Sequence, residues 1–228
     1  MLSIIIPVLD EAALVETALR TLSKYRTGGA ELIVVDGGSR DGTAALARPF
    51  ADQVLIASRG RAAQMNAGAA AAHGDVLLFL HLDTRLPDGA ELLVCDGLAR
   101  SGRTWGRFDV RFDRTGFLSL IAFMMNLRSR LTGIATGDQA IFVTRTAFES
   151  VGGFPPIALM EDIALSARLK HIGRPLCLRA RVTTSGRRWR MHGILRTVVL
   201  MWRLRLAYFL GADPAQLARR YGYAPAEQ

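Results

Sequence analysis

Glu31-Leu32-Ile33-Val34-Val35-Asp36-Gly37-Gly38-Ser39-Arg40-Asp41-Gly42-Thr43 runs from consecutive apolar residues into an acid, two glycines and a turn cluster. An unbroken apolar run of this kind reads as a strand buried on both faces, the pattern of parallel sheets. The turn cluster ends the strand and opens the next helix. The flanking sequence repeats the alternation. Leu2 to Val8 is a second such strand, and Glu11 to Leu22 places Leu14, Val15, Ala18, Leu19 and Leu22 at helical spacing. Val54 to Ala57 is a short strand, Arg61 to Ala72 an Ala-rich helix, and Asp75 to Leu82 a strand ending at Asp83. This order predicts an α/β fold with a doubly wound, mainly parallel sheet flanked by helices. Ligands bind such sheets outside the carboxyl ends of the strands. Asp10, Glu11, Asp36, Arg59, Arg61 and Asp83 all fall just past strand ends, so one crevice would collect them.

The second half is less regular. Trp105 to Phe112 alternates apolar and charged residues and predicts a half-exposed strand. Helices are predicted over Phe117 to Leu127, Glu161 to His171 and Ile194 to Leu210, and a strand over Gln139 to Val143. No repeat or linker interrupts the 228 residues, so one domain is expected. Within it, about 1–100 form a nucleotide-binding half, about 101–190 an acceptor and catalytic half, and about 191–228 C-terminal helices.

Half of the residues are apolar and the net charge is +9, carried mostly by Arg, which favours phosphorylated or anionic partners. The Arg residues form no basic stripe interleaved with aromatics, so no nucleic-acid partner is expected. Cys95 and Cys177 have neither disulfide-framework nor zinc-site spacing. The apolar N-terminus lacks a basic leader, and no run reaches the roughly 18 apolar residues of a membrane span. The expected location is cytoplasmic, with peripheral attachment to the inner face of the plasma membrane as the alternative.

Each strand-end acid has two readings. Asp83, after a run of apolar residues, is either a ligand for Mn2+ or Mg2+ carrying a diphosphate or the cap of a following helix. Asp36 is either an acceptor for a base or ribose edge or an Asx-turn residue before Gly37-Gly38. One of Arg59 and Arg61 suits a phosphate at the mouth of the Ala-rich helix. Glu161-Asp162 at a helix start are first of all dipole partners, and second a general base. Asp138 sits in a turn or in a site, and His81 stands beside Asp83.

Together these segments resemble the family 2 glycosyltransferases over most of residues 2–190. The motifs are Ile4-Ile5-Ile6-Pro7-Val8-Leu9-Asp10-Glu11, Val34 through Thr43, and Arg61 through Asn66 with Gly68 and Gly74-Asp75. His81-Leu82-Asp83-Thr84 stands at the family's DxD position, and Gly152-Gly153-Phe154 with Glu161-Asp162 matches its GGF…ED. The resemblance implies a GT-A fold and an inverting, metal-assisted sugar transfer from a nucleotide-diphosphate donor, UDP-sugar ahead of GDP-sugar, to a hydroxyl acceptor. It implies donor-binding roles for Pro7, Glu11, Asp36, Arg61 and Asp83, with Asp83 on Mn2+ or Mg2+. Asp162 would be the base, with Glu161 beside it. Asp138, Arg188 and Trp189 would serve the acceptor or diphosphate side. The sequence departs from the family in two places: His81 replaces the first acid of DxD, and Ser185 replaces Gln in a QxxRW-like Ser185-Gly186-Arg187-Arg188-Trp189. The wording SRGRAAQMNAGA, LFLHLDTRLP and MWRLRLAYFLG is similar to a bacterial subgroup described as associated with radical-SAM or selenium-domain genes; that name implies no cofactor.

Ile194 to Leu210 mixes Arg with large apolar residues. Packing on the sheet is the preferred reading, because an α/β sheet needs helices on both faces. An interfacial helix on anionic lipid, serving a lipid-linked acceptor, is the other. The competing functions are a nucleotidyltransferase and a non-catalytic binder of nucleotide sugars or anionic membrane surfaces. A dehydrogenase is excluded by Asp10-Glu11 where a GxGxxG turn should follow the first strand.

Overall fold

In the computed structural model, which describes residues 1–223 apart from the side chains of Arg188 and His192, the strand Leu2–Val8 (β1) lies inside an eight-stranded sheet. Its residues alternate between two cores. Ile4 and Ile6 pack with Val15, Leu19 and Leu22 of Ala12–Thr27 (α1). Ile5 packs on the other face with Ala62, Met65 and Ala69. β1 is therefore apolar at every position but Ser3, because both faces are covered. Glu31–Asp36 (β2), Thr43–Ala47 (α2), Gln53–Ile56 (β3), Arg61–Ala71 (α3) and Val76–Phe79 (β4) complete a parallel half ordered β3-β2-β1-β4. α3 approaches the sheet so closely that a Cβ on Gly68 would lie 2.4 Å from Ile5 Cγ2.

The chain continues through Thr84–Arg85 (β5), Ala90–Ser101 (α4), Trp105–Phe112 (β6), Phe117–Thr132 (α5), Phe142–Thr144 (β7) and Arg145–Ser150 (α6). Glu161–Ile172 (α7), Leu176–Thr184 (β8), Arg187–His192 (α8), Ile194–Phe209 (α9) and Pro214–Tyr221 (α10) follow. The sheet order extends as β4-β7-β6-β8-β5, antiparallel except for the parallel β6–β8 pair. The expected α/β class, with its mainly parallel sheet, is what the chain adopts.

Three expectations need correction. β6 is not half-exposed: Arg107 is fully buried and Asp109 nearly so. α5 covers that face. Arg107 ion-pairs with Asp109, which also takes Arg130 at 2.6 Å, so the charges are neutralised inside. The strand expected over Gln139 to Val143 starts later, because Gly137–Gln139 form a 3-10 turn and Ala140 adopts φ 47°. α9 does not lie on the sheet. Leu204 packs with Met160, Ile163 and Leu217 of α10, while Leu195, Val199, Trp202, Leu206 and Phe209 stay exposed. The strand Leu176–Thr184 and the helix Ala90–Ser101 were not anticipated.

Candidate active site

β1 pairs with β2 through Val8 but with β4 only through Ile5. The last bond on the β4 side is Leu80 N–H to Ile5 O, 2.9 Å. Beyond it the β4 chain turns away and leaves a gap at the carboxyl end of β1. This is the switch point of the parallel half, where a crevice is expected. Pro7 lies two residues past Ile5, on the side facing the gap, where a missing N–H leaves no ladder bond unmade.

A cavity of about 380 Å³ opens there. It brings together Pro7, Glu11, Arg61, Asp83, Asp138, Glu161, Asp162 and Trp189. Arg59 is exposed and does not line it. Asp36 is buried behind it, and Arg188's side chain lies outside the described residues.

Two loops are fixed by side-chain to backbone bonds. Asp10, at φ 52°, receives Arg40 N–H on Oδ1 (2.9 Å), and Ser39 Oγ accepts Asp10 N–H (2.8 Å). Thr43 Oγ1 accepts Glu11 N–H at 2.8 Å, so the loop carrying Glu11 rests on the start of α2. Gln64 donates to Val8 O and Val35 O (2.8 and 2.7 Å) and ties the ends of β1 and β2 together. Asn66 clamps the Gly152-Gly153-Phe154 loop to α3, donating to Phe154 O (2.8 Å) and accepting from its N–H (3.0 Å). Phe154 seals the clamp against Phe79 and Phe148. Met160 at φ 70° then turns the chain into α7.

Asp36 makes the turn of its second reading with one oxygen only. Oδ1 accepts Gly38 and Ser39 N–H at 2.7 and 2.6 Å, an Asx-type turn, while Oδ2 is buried without a partner. Asp83 caps no helix, since α4 begins after Gly89. Burial raises its pKa, and Asp138 adds to that, against the opposing charges of His81, Arg61 and Arg187. Burial likewise raises Glu11, eased by Arg187 at 3.8 Å. His81 Nδ1 faces Asp138 Oδ1 at 3.4 Å. Burial would raise Asp138, but His81, Arg61 and Arg205 outweigh it and hold the carboxyl below its ordinary range. The His81 ring lies flush on Gly137, where a Cβ would sit 2.4 Å from it.

The ED pair splits by environment. Asp162 accepts Gly137 N–H on Oδ2 (2.8 Å) and Ile163 N–H on Oδ1 (2.7 Å), which fixes its carboxylate in the cavity. Glu161 is 5% exposed; burial and Asp162's charge push it up to about 7, against Arg61 and His81.

Among the described residues, no three His, Cys, Asp or Glu side chains converge to cage a cation. Mg2+-type sites bound through one or two carboxylates plus substrate phosphates need no such cage. Asp83, an oxygen donor in the cavity with a second acid close enough to raise its pKa, fits that mode.

Residues 3–148 match the family described as Glycosyl transferase family 2. The chain belongs to that family. It is 34% identical over 169 residues to a PGL/p-HBAD biosynthesis glycosyltransferase of Mycobacterium tuberculosis and to its Mycobacterium bovis counterpart. The match covers 68% of this chain, which spans 63% of those curated relatives' length. Among solved structures, S. aureus TarS 1-349 in complex with UDP is similar at TM-score 0.66 and 17% identity, covering 81% of this chain and 60% of that one. Mannosyltransferase PcManGT from Pyrobaculum calidifontis, in complex with GDP-Man and Mn2+, gives TM-score 0.63 and 20% identity over 98% of this chain and 65% of its own. At such identities the likeness shows the fold, which is GT-A.

Beyond its family motifs, this glycosyl transferase chain lines the cavity with residues the sequence reading passed over: Gln64, Arg187, Met201, Arg205 and Tyr221. Gln64 looked like one more polar residue in an Ala-rich helix. Arg205 was hidden in a helix read by its apolar content.

Glu161 supplies a pH test. A carboxyl raised in the folded state contributes stability that is complete below its ordinary 4.5 and is lost as pH rises through about 7. Wild type should therefore fall relative to Glu161→Gln between about pH 5 and about pH 8, by no more than roughly 3 kcal/mol. Urea unfolding at both pH values measures this, and an equal difference at both would mean that Glu161 is not held neutral.

Proposed function

We propose that this protein is an inverting glycosyltransferase that moves a sugar from a nucleotide-diphosphate donor, a UDP-sugar ahead of a GDP-sugar, to a hydroxyl acceptor. The observation that carries the reading is Asp162. Its carboxylate is oriented by two backbone N–H groups into the cavity that also holds Asp83. The solved relatives bound to UDP and to GDP-Man support a nucleotide-sugar donor.

On this reading the donor lies across the ends of β1 and β2, with the open Oδ2 of Asp36 available to a base N–H. Pro7 and Glu11 border the nucleotide. Asp83 holds Mn2+ or Mg2+, which when bound neutralises charge on the diphosphate. Asp162 takes the proton of the acceptor hydroxyl as its oxygen attacks the anomeric carbon from the face opposite the diphosphate. The bond from that carbon to the phosphate oxygen breaks, the diphosphate leaves with the electron pair beside Arg61 and Arg187, and configuration inverts. Glu161 is buried beside Asp162, with its carboxyl pushed up to about 7. Asp138 and Trp189, whose ring packs edge-on against Phe112, border the acceptor or diphosphate side, as does α8, which carries Arg188. We read the chain as one working unit whose three segments all reach the cavity, and its wording as that of the radical-SAM- or selenodomain-associated subgroup.

We place the protein in the cytoplasm, in peripheral contact with anionic lipid on the inner face of the plasma membrane and acting on a lipid-linked acceptor. Two stripes support this. Leu120, Met124, Leu127 and Leu131 on α5, and Leu195, Val199, Trp202, Leu206 and Phe209 on α9, are exposed at helical spacing, with Arg196 and Arg203 beside the second. No helix among the described residues is long and apolar enough to cross a membrane.

Three measurements follow. Calorimetry with UDP and GDP should show Mn2+-dependent binding of one nucleotide, lost in Asp83→Ala; unchanged affinity would remove Asp83 from its role. Asp162→Asn should bind donor normally yet turn over at least ~10²-fold slower, the scale of a lost general base; wild-type turnover would move the base elsewhere. Finally, the protein should co-sediment with anionic but not neutral vesicles, and Trp202→Glu should weaken that; indifference to lipid charge would count against the membrane reading.

A further inference from the structure

Arg205 at the wall of the cavity, and Arg128 near it, carry positive charge that the proposed chemistry leaves unused. Arg128 on α5 and Arg205 on α9 lie close enough for each to act on the other's charge; burial, with Arg205, holds Arg128 down to about 10. Nε and Nη2 of Arg128 and Nε of Arg205 are sealed from solvent with no hydrogen-bond partner. Elsewhere in the molecule a buried guanidinium is provided for: Arg107 has Asp109, Ser129 and the Asn126 carbonyl. Among the described residues, no carboxylate forms an ion pair with Arg128 or Arg205. Buried donors without acceptors are costly, and two like charges side by side add to that cost. An anion between them would supply both the missing acceptors and the missing charge.

The position of the pair says which anion. Arg205 lines the same cavity as Asp162, and Asp162 is the acid whose charge acts on Arg128. The cations acting on Asp83 are instead His81, Arg61 and Arg187. The pair thus stands on the side of the base. Resting on the glycosyltransferase reading above, we propose that Arg128 and Arg205 seat an anionic group of the acceptor itself, a phosphate or comparable oxyanion, which presents the acceptor hydroxyl to Asp162. Guanidinium forks suit such oxyanions because their N–H groups match the spacing of the oxygens. Leu127 and Leu206, in the exposed stripes, adjoin the two arginines in sequence. A lipid-borne phosphate would have its chain there, while a soluble phosphate ester would use the seat alone.

The test uses the whole protein saturated with Mn2+ and whichever nucleotide it binds, titrated with glycerol 3-phosphate and with dihexanoyl phosphatidic acid below its micelle concentration. Wild type should bind at least one probe, and Arg128→Gln and Arg205→Gln should each weaken it at least ~10-fold, the loss expected for charge-assisted hydrogen bonds. Nucleotide affinity should hold in both variants, and Arg128→Lys should recover part of the loss. Preference for the lipid probe assigns a lipid acceptor, and equal affinity a soluble one. No probe binding by wild type, or undiminished binding by the variants, overturns the proposal. So does a loss that falls on nucleotide affinity, which would move the pair to the donor diphosphate. If wild type binds neither nucleotide, the transferase reading fails separately, and the same phosphate titrations without nucleotide still test the seat. Thermal melting is the control: removing an unpaired buried cation should leave Tm level or higher, and a marked fall in both variants would make the pair structural.

Discussion

Much of this molecule follows from β1 being longer than its partner. β1 pairs with β2 to Val8 and with β4 only to Ile5, so one side of its carboxyl end is left without a neighbour. An open strand edge inside a sheet must be closed by something. Here a proline removes one donor, and a cavity takes the place of the missing strand. Around that gap gather the groups at the ends of β1 and β4, together with the loop before α7. The Asn66 clamp matters for the same reason: with the packing of Phe154, it holds the loop that leads to Glu161-Asp162 against α3.

The site's electrostatics depend on adjacent acids being treated differently. Asp162 receives two backbone N–H bonds, which fix its orientation, while Glu161 is buried beside it and pushed up to about 7. Two adjacent charges in one buried place would repel, and the fold avoids this by solvating one with the backbone and burying the other. Environments that push neighbouring acids apart are how a site assigns a single base. His81 fits the same economy. It faces Asp138, and its charge opposes the burial that raises Asp83.

How much of this was legible in the sequence depends on where each signal resides. β1 and β2 were legible because burial on both faces leaves an unbroken apolar run. Asp83 and Glu11 were legible because acids directly after such runs have little structural use. Trp105–Phe112 misled for the opposite reason. Its charged residues face a helix that brings its own Arg130, and alternation cannot distinguish water from an internal ion pair. Asp36 could not be decided by pattern, since one oxygen makes the turn and the other is left open. The position of α9 was illegible too. Its composition is equally that of a helix on a sheet and of one on a membrane, and only the packing of Leu204 on Met160 and Leu217 takes it off the sheet.

That packing changes how the net charge of +9 should be understood. Averaged over the chain it looks like a generic affinity for anions. In the fold, Arg107 and Arg130 are consumed by Asp109, Arg145 is spent on the carbonyls of Ala69, Ala72 and Gly74, and Arg103 on those of Arg174 and Pro175. Arg128 on α5 and Arg205 on α9 keep sealed nitrogens without partners, and Arg196 and Arg203 are exposed on the outer side of α9. A family 2 chain has its donor side specified by the parallel sheet. Here α9 packs on Met160, Ile163 and α10 instead of on the sheet, turning large apolar residues outward and Arg205 toward the cavity.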